Sequence, residues 1–341
     1  MTNPINHIVI IVKENHTFDN YFGAFPGATG VRLPRAPDPQ IADPLHDHAA
    51  WLAAQAGTGG LRLQYGKSDI PAYWAFAQQY VLCDNYFTDV ASQSEPNHLH
   101  LIAAASPVID NATQARRYQP MPPYTLPNLP ATLEAAGRSW RNYADPRASY
   151  FDHIAGLAGH RWSVPVSAFD TDAKAGTLPD VAWLFAPDGL SEHPGDFTRT
   201  GKKLVGPGMQ WTADRVHRIA TGPLWASTAI FIIWDDWGGW YDHVTPPMVA
   251  TWPGGGHAGY TNSQFRYGPR VPCLVISPYA KRGMNHTLHS HVSIVKFCLR
   301  RFGLKAWNVP ALAPSDTSGD MWESFDFSAP PRLAVPATVP A

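Results

Sequence analysis

The 341 residues are 45% hydrophobic and 16% charged, with a formal net charge of -1. That mix supports a packed core and excludes a disordered chain, and it leaves no bulk charge to hold nucleic acid or an anionic membrane. Three widely spaced cysteines, Cys83, Cys273 and Cys298, argue against a disulfide framework or a four-cysteine zinc site and read as small buried hydrophobes.

The chain opens on MTNPINHIVIIV, with no basic segment before the apolar run and no small-residue cleavage site after it. It reads as a strand rather than a leader peptide. No stretch reaches the ~18 uninterrupted apolar residues of a membrane span. A soluble protein is expected, cytoplasmic as given or a mature exported form. His7 to Val12 is the first strand and runs into Glu14 and Asn15. Residues 27–66, rich in Pro, Gly, Ala and Asp, form a long excursion. Pro71 to Tyr80 is predicted helical, with proline in its first turn. Asn97 to Ala105 and Leu129 to Gly137 follow as helices. Residues 145–208 read as a second loop-rich excursion. Trp211 to Thr221 is an amphipathic helix, and Thr228 to Trp234 is a strand running into Asp235 and Asp236. A third strand, Val271 to Ile276, runs into Ser277. Ser290 to Phe302 opens on a serine cap and carries apolar residues at helical spacing.

Apolar strands alternating with helices predict a single α/β domain over residues 1–341. Its fold is a mainly parallel sheet covered on both faces, a three-layer α/β/α sandwich. Ligands gather at the carboxyl ends of strands in such sheets, where both acidic pairs fall. Glu14 and Asn15 offer hard oxygens to a divalent cation, although taken alone they read as a turn and cap. Asp235 and Asp236 stand side by side between apolar flanks, where adjacent carboxylates repel unless a cation or proton intervenes. Ser94 precedes a helix, where the dipole favours phosphate. A bound metal would lower its hydroxyl pKa and make it a nucleophile. An ordinary cap is the bland alternative. Among 15 histidines, His193, His243 and His291 have informative neighbours, but spacing does not rank them.

Together these segments resemble the phosphoesterase family of bacterial phosphatidylcholine-type phospholipases C and related acid phosphatases. Glu14 to Gly23 resembles its N-terminal signature, and Phe76 to Leu101 its nucleophile segment. Leu178 to Trp183 and Ser191 to Pro194 resemble its middle blocks, and Trp234 to Val244 its aspartate block. Arg270 to Phe297, with Phe325 to Phe327 and Pro330 to Arg332, resembles its C-terminal part. The resemblance implies an alkaline-phosphatase-like fold and a divalent metal held by Glu14, Asn15, Ser94, Asp235 and Asp236. It implies Ser94 as nucleophile with His193 and His291 assisting, and Asn97, His98 and His243 bordering the substrate. Departures are His16 and Thr17 for the usual Arg-Ser, Asp236 where Glu is common, Trp237 for a frequent His, and Ser290 for an Asp.

The expected activity is hydrolysis of phosphate monoesters through a phosphoserine. The chain lacks the long extension that often follows the catalytic region in the phospholipases, which places the monoester reading first. The alternative is a phospholipase C cleaving phosphocholine-type diesters, kept open by 13 Trp and 13 Tyr able to bind quaternary ammonium. A non-catalytic binding relative is the second alternative. A sulfatase-like enzyme is disfavoured because His98 stands where its motif needs arginine. The expected ligand is a small phosphate ester or phospholipid head group, with no nucleic acid partner.

Overall fold

Side chains branched at Cβ pack well on a pleated surface, and the run from Ile8 to Val12 consists of nothing else. In the computed structural model, which describes residues 3–38, 42–113, 118–145, 148–195, 205–254 and 259–339, it forms the middle of a sheet. This is β1 (His7–Lys13), buried from Ile8 onward. The chain continues through α1 (Phe18–Phe22), α2 (His48–Gln55), α3 (Pro71–Gln79), β2 (Val81–Cys83), β3 (Tyr86–Phe87) and α4 (Ser94–Ala103). Then come α5 (Leu129–Ala135), β4 (Trp140–Tyr143), β5 (Ser163–Val164), α6 (Ala168–Ala175), β6 (Val181–Phe185), α7 (Val205–Ala220) and β7 (Thr228–Trp234). The last part holds β8 (Ala250–Thr251), β9 (Gln264–Arg266), β10 (Cys273–Ile276), β11 (Gly283–Asn285), β12 (His289–Ser290) and α8 (His291–Phe302).

Eight strands form the main sheet in the order β11-β2-β10-β7-β1-β6-β4-β5. β1 pairs in parallel with β6 on one side and β7 on the other, placing Lys13 opposite Trp234. Every residue of β6, β7 and β10 is buried, as strands covered on both faces require. Helices α3 and α6 pack on α7, while α5 and α8 pack on α4. The expected sandwich is the observed one.

Two differences matter. β10 runs antiparallel to both neighbours, β2 and β7. Its carboxyl end therefore lies at the opposite edge from the other strand ends, and Ser277 Oγ donates to the carbonyl of Thr228 at the start of β7. Ser277 is thus remote from the acidic pairs, and the entry to β10, at Arg270, takes the place beside them. Second, the stretch read as a loop from 145 to 208 contains a central strand, β6, and the first excursion contains α2. Helix α4 begins at Ser94 rather than Asn97, with Gln93 as its cap, so the serine sits in the first turn itself. Among the described residues, no helix is long and apolar enough to cross a membrane.

Candidate active site

Adjacent parallel strands end at one edge, so the residues after β1 and β7 meet. The Asp235 N–H donates to the Lys13 carbonyl at 3.0 Å, and the Asn15 N–H donates to Asp235 Oδ1 at 3.0 Å. Asn15 adopts a left-handed backbone, φ 63°, which asparagine tolerates better than most side chains. Gly238, at φ 56°, passes so close that a Cβ there would lie 2.4 Å from the Asn15 carbonyl oxygen. Gly238→Ala should force the two strand ends apart. Because displacements near 1 Å can cost about 100-fold in rate, we expect at least a tenfold loss of whatever turnover the site supports, read by steady-state kinetics beside a native circular dichroism spectrum.

Ser94 reaches the same edge from α4, its Oγ donating to Asp236 Oδ2 at 3.0 Å. Asp236 Oδ1 accepts the Gly238 N–H at 2.7 Å. Burial, reinforced by the charge of Asp235, pushes the Asp236 carboxyl well above its ordinary range. Burial would raise Asp235 too, but the hydrogen bond and charge of His98 outweigh it and hold it low. Two buried carboxylates side by side need a proton or a cation between them. The buried Oδ1 of Asn15, which has no hydrogen-bond partner among the described residues, asks for a cation too. Carboxylate, amide and hydroxyl oxygens are the donors a hard divalent ion prefers, so the residues fit such an ion.

The histidines divide by what they touch. His98 faces Asp235 Oδ2 at 3.2 Å through Nε2 and the Ser149 carbonyl at 3.4 Å through Nδ1. His291 is committed at both nitrogens: Nε2 donates to the Asp235 carbonyl at 2.8 Å, and Nδ1 lies 3.1 Å from the Tyr86 hydroxyl. Burial lowers its pKa, so a neutral ring buttresses the aspartate main chain. His193 donates from Nδ1 to the Pro194 carbonyl, and its ring lies 6.1 Å from that of His46. His243 bonds Asp19 at 2.6 Å in a network with Asp242 and Arg270. Arg270 fills the place a cation would take in that acidic group. Asn97 spends its amide on the preceding loop, accepting from the Val90 N–H at 2.8 Å and donating to the Val90 and Gln93 carbonyls.

Sequence reasoning missed two parts of this region. His46, from the first excursion, donates from Nδ1 to the Pro44 carbonyl and so turns an Nε2 lone pair toward Asn15 Nδ2, 3.2 Å away. Asp43, His46 and His193 also form a second group of potential metal-binding side chains. The signal, two aspartates and two histidines from Asp43 to His48, was hidden in a stretch read as loop. The other omission lies beneath Glu14. Lys13 pairs with Glu192 at 3.3 Å, both side chains fully buried. Glu192 also accepts from the hydroxyls of Tyr73 and Tyr21, at 2.6 and 2.7 Å, and from the Trp234 indole at 3.1 Å.

The departures from the family pattern have structural partners. His16 stacks on Tyr21 at 4.3 Å and Trp240 at 5.5 Å, and burial lowers its pKa to about 3, so the ring is neutral. Thr17 caps α1 and bonds the Tyr241 carbonyl. The Trp237 indole holds the His46 carbonyl at 2.8 Å. The Ser290 N–H, at the cap of α8, donates to Ser293 Oγ.

The fold is an alkaline-phosphatase-like α/β/α sandwich. The solved structure of murine ectonucleotide pyrophosphatase/phosphodiesterase 5 matches with a TM-score of 0.51 at 8% identity, over 94% of this chain and all of that one. The lipoteichoic acid synthase LtaP of Listeria monocytogenes matches with a TM-score of 0.50 at 9% identity, over 94% of this chain and 77% of that one. Residues 5–45 and 45–305 match the model of the Phosphoesterase family, and the chain belongs to that family. It is 27% identical to the non-hemolytic phospholipase C of Pseudomonas aeruginosa, over 96% of this chain but only 58% of that protein. It is also 27% identical to phospholipase C B of Mycobacterium tuberculosis, over 97% of this chain and 80% of that protein.

Proposed function

We propose that this protein is a metal-dependent phosphoesterase of phospholipase C type, which cleaves phosphodiesters with Ser94 as nucleophile. The observation that carries the reading is the convergence of Ser94 Oγ, Asp235, Asp236 and the unpartnered Asn15 Oδ1 at one sheet edge. Glu14, Asn15, Ser94, Asp235 and Asp236 would hold the ion, whose bound form supplies charge neutralisation and a lower hydroxyl pKa.

Ser94 Oγ attacks phosphorus, and its proton points along the existing hydrogen bond to Asp236 Oδ2. The ester P–O bond breaks as the phosphoserine forms. The departing oxygen takes a proton from a histidine, a role assigned to His193, whose ring lies 6.1 Å from that of His46; His291 is engaged at both nitrogens. Water then cleaves the phosphoserine. Positioning with charge neutralisation does most of the catalysis. In this reading His98 orients Asp235, Asn97 shapes the Ser94 loop, and His243 belongs to the network of Asp19, Asp242 and Arg270.

The names of the matched relatives move the diester reading ahead of the monoester one expected from the sequence. Both esters share the attack and differ in the leaving group. Parallel assays with p-nitrophenyl phosphorylcholine and p-nitrophenyl phosphate separate them. Faster turnover of the phosphorylcholine ester is expected, with loss of activity in chelator and recovery on adding back a divalent metal. Preference for the monoester would return the protein to the acid-phosphatase reading. Activity indifferent to thorough metal removal would end the metal-dependent one.

A further inference from the structure

Tyr150 lies in the second excursion, and its backbone sits at φ 55°, ψ 14°, the left-handed region. A bulky aromatic residue rarely adopts it, and such strain persists only where the surroundings enforce it. Here they do. The preceding Ser149 carbonyl faces His98 Nδ1 at 3.4 Å, the Ser149 hydroxyl accepts from Asn142 Nδ2 at 2.9 Å, and the Tyr150 carbonyl accepts the His153 N–H at 3.1 Å.

The result is a ring wedged between two imidazoles. It stands edge-on to His98 at 5.0 Å and to His153 at 5.0 Å. Each of those histidines is bonded to an acid of the region, His98 to Asp235 and His153 to Glu95, the residue after the nucleophile. The side chain is half-buried, and its hydroxyl makes no hydrogen bond among the described residues. Burial, then the charges of Glu14, Glu95, Asp235 and Asp236, push that hydroxyl well above its ordinary pKa, so it remains an O–H donor. A phenol held between two histidines that bond Asp235 and Glu95, with its hydroxyl unpartnered among the described residues, is free to donate to an oxygen of whatever binds there.

We propose that Tyr150 is a substrate-binding residue whose phenol donates a hydrogen bond to a non-bridging oxygen of the phosphate ester at Ser94. The assignment rests on the reading of Ser94 as the phosphoesterase nucleophile.

Tyr150→Phe removes the O–H and keeps the ring. Inorganic phosphate binding is measured by calorimetry in wild type and variant, together with kcat and KM for p-nitrophenyl phosphorylcholine, metal content and thermal unfolding. A hydrogen bond to a charged oxygen predicts about tenfold or greater weakening of phosphate binding and a matching rise in KM, with metal content and unfolding as in wild type. An active wild type with phosphate affinity and KM unchanged in Tyr150→Phe overturns the assignment. Loss of metal or fold in the variant does so too, by making the role structural. A wild type that hydrolyses no phosphate ester and binds no phosphate overturns the Ser94 reading first, and this one with it.

Discussion

Ser94→Ala should lower phosphate-ester turnover on the order of 1000-fold or more, as loss of a nucleophile does when positioning groups survive. The substitution deletes one hydroxyl in the first turn of α4, whose capping residue is Gln93, so the helix start is untouched. Asp236 keeps its bond from the Gly238 N–H, and Asp235 keeps those from Asn15 and His98. Elemental analysis should therefore find most of the metal still bound, and thermal unfolding should stay close to wild type. Residual turnover within a few-fold of normal would remove Ser94 from the chemistry. Trapping offers an independent check: phosphate transferred from a slow substrate should appear on the Ser94 peptide in the wild type and nowhere on that peptide in the variant.

The largest effect on stability is expected at Glu192. Its carboxylate is surrounded by Lys13, Tyr21, Tyr73 and Trp234, all out of water. Burial raises the Glu192 pKa and lowers that of Lys13, each group resisting its charge and each held charged by the other. Glu192→Ala strands the ammonium, leaving it the carbonyls of Leu190 and Gly208 and the face of Trp211, and orphans an indole and a phenol. Breaking such a buried pair from one side costs about 3–5 kcal/mol, which denaturant unfolding would read as a lower midpoint. The double variant Lys13→Met/Glu192→Leu removes both charges and should recover a good part of that loss. If the double variant is as unstable as the two single losses added together, the two charges are not coupled, and the account of this network is wrong.

Much of the architecture is legible because it rests on period and composition. Ile8 to Val12 and Thr228 to Trp234 are uninterrupted apolar runs, and each hands over to acidic residues where parallel neighbours must end together. Strand direction is another matter. Nothing in Val271 to Ile276 distinguishes a parallel strand from an antiparallel one, because both faces are buried either way, and only the path of the chain sends Ser277 to the far edge. Strand β6 escaped notice because Val181 to Phe185 is short and sits among prolines and glycines. Histidine roles were the least legible part. His193 and His291 lie in equally suggestive motifs, yet one sits across from His46 and the other is locked between Tyr86 and a main-chain carbonyl. Which nitrogen is spoken for is decided by residues far away in sequence, so no local spacing encodes it.

The position of β1 has a consequence for how the chain is made. The strand is made well before its partners in the sheet among the described residues, β6, which starts at Val181, and β7, which starts at Thr228. Until Val181 and then Thr228 have been synthesised, an apolar ribbon with two unsatisfied edges must wait in solvent. Sequence-distant pairing of this kind is slow, and waiting ribbons recruit one another. Recombinant yield should therefore respond to chaperone supply and growth temperature more than the stability of the finished molecule would suggest.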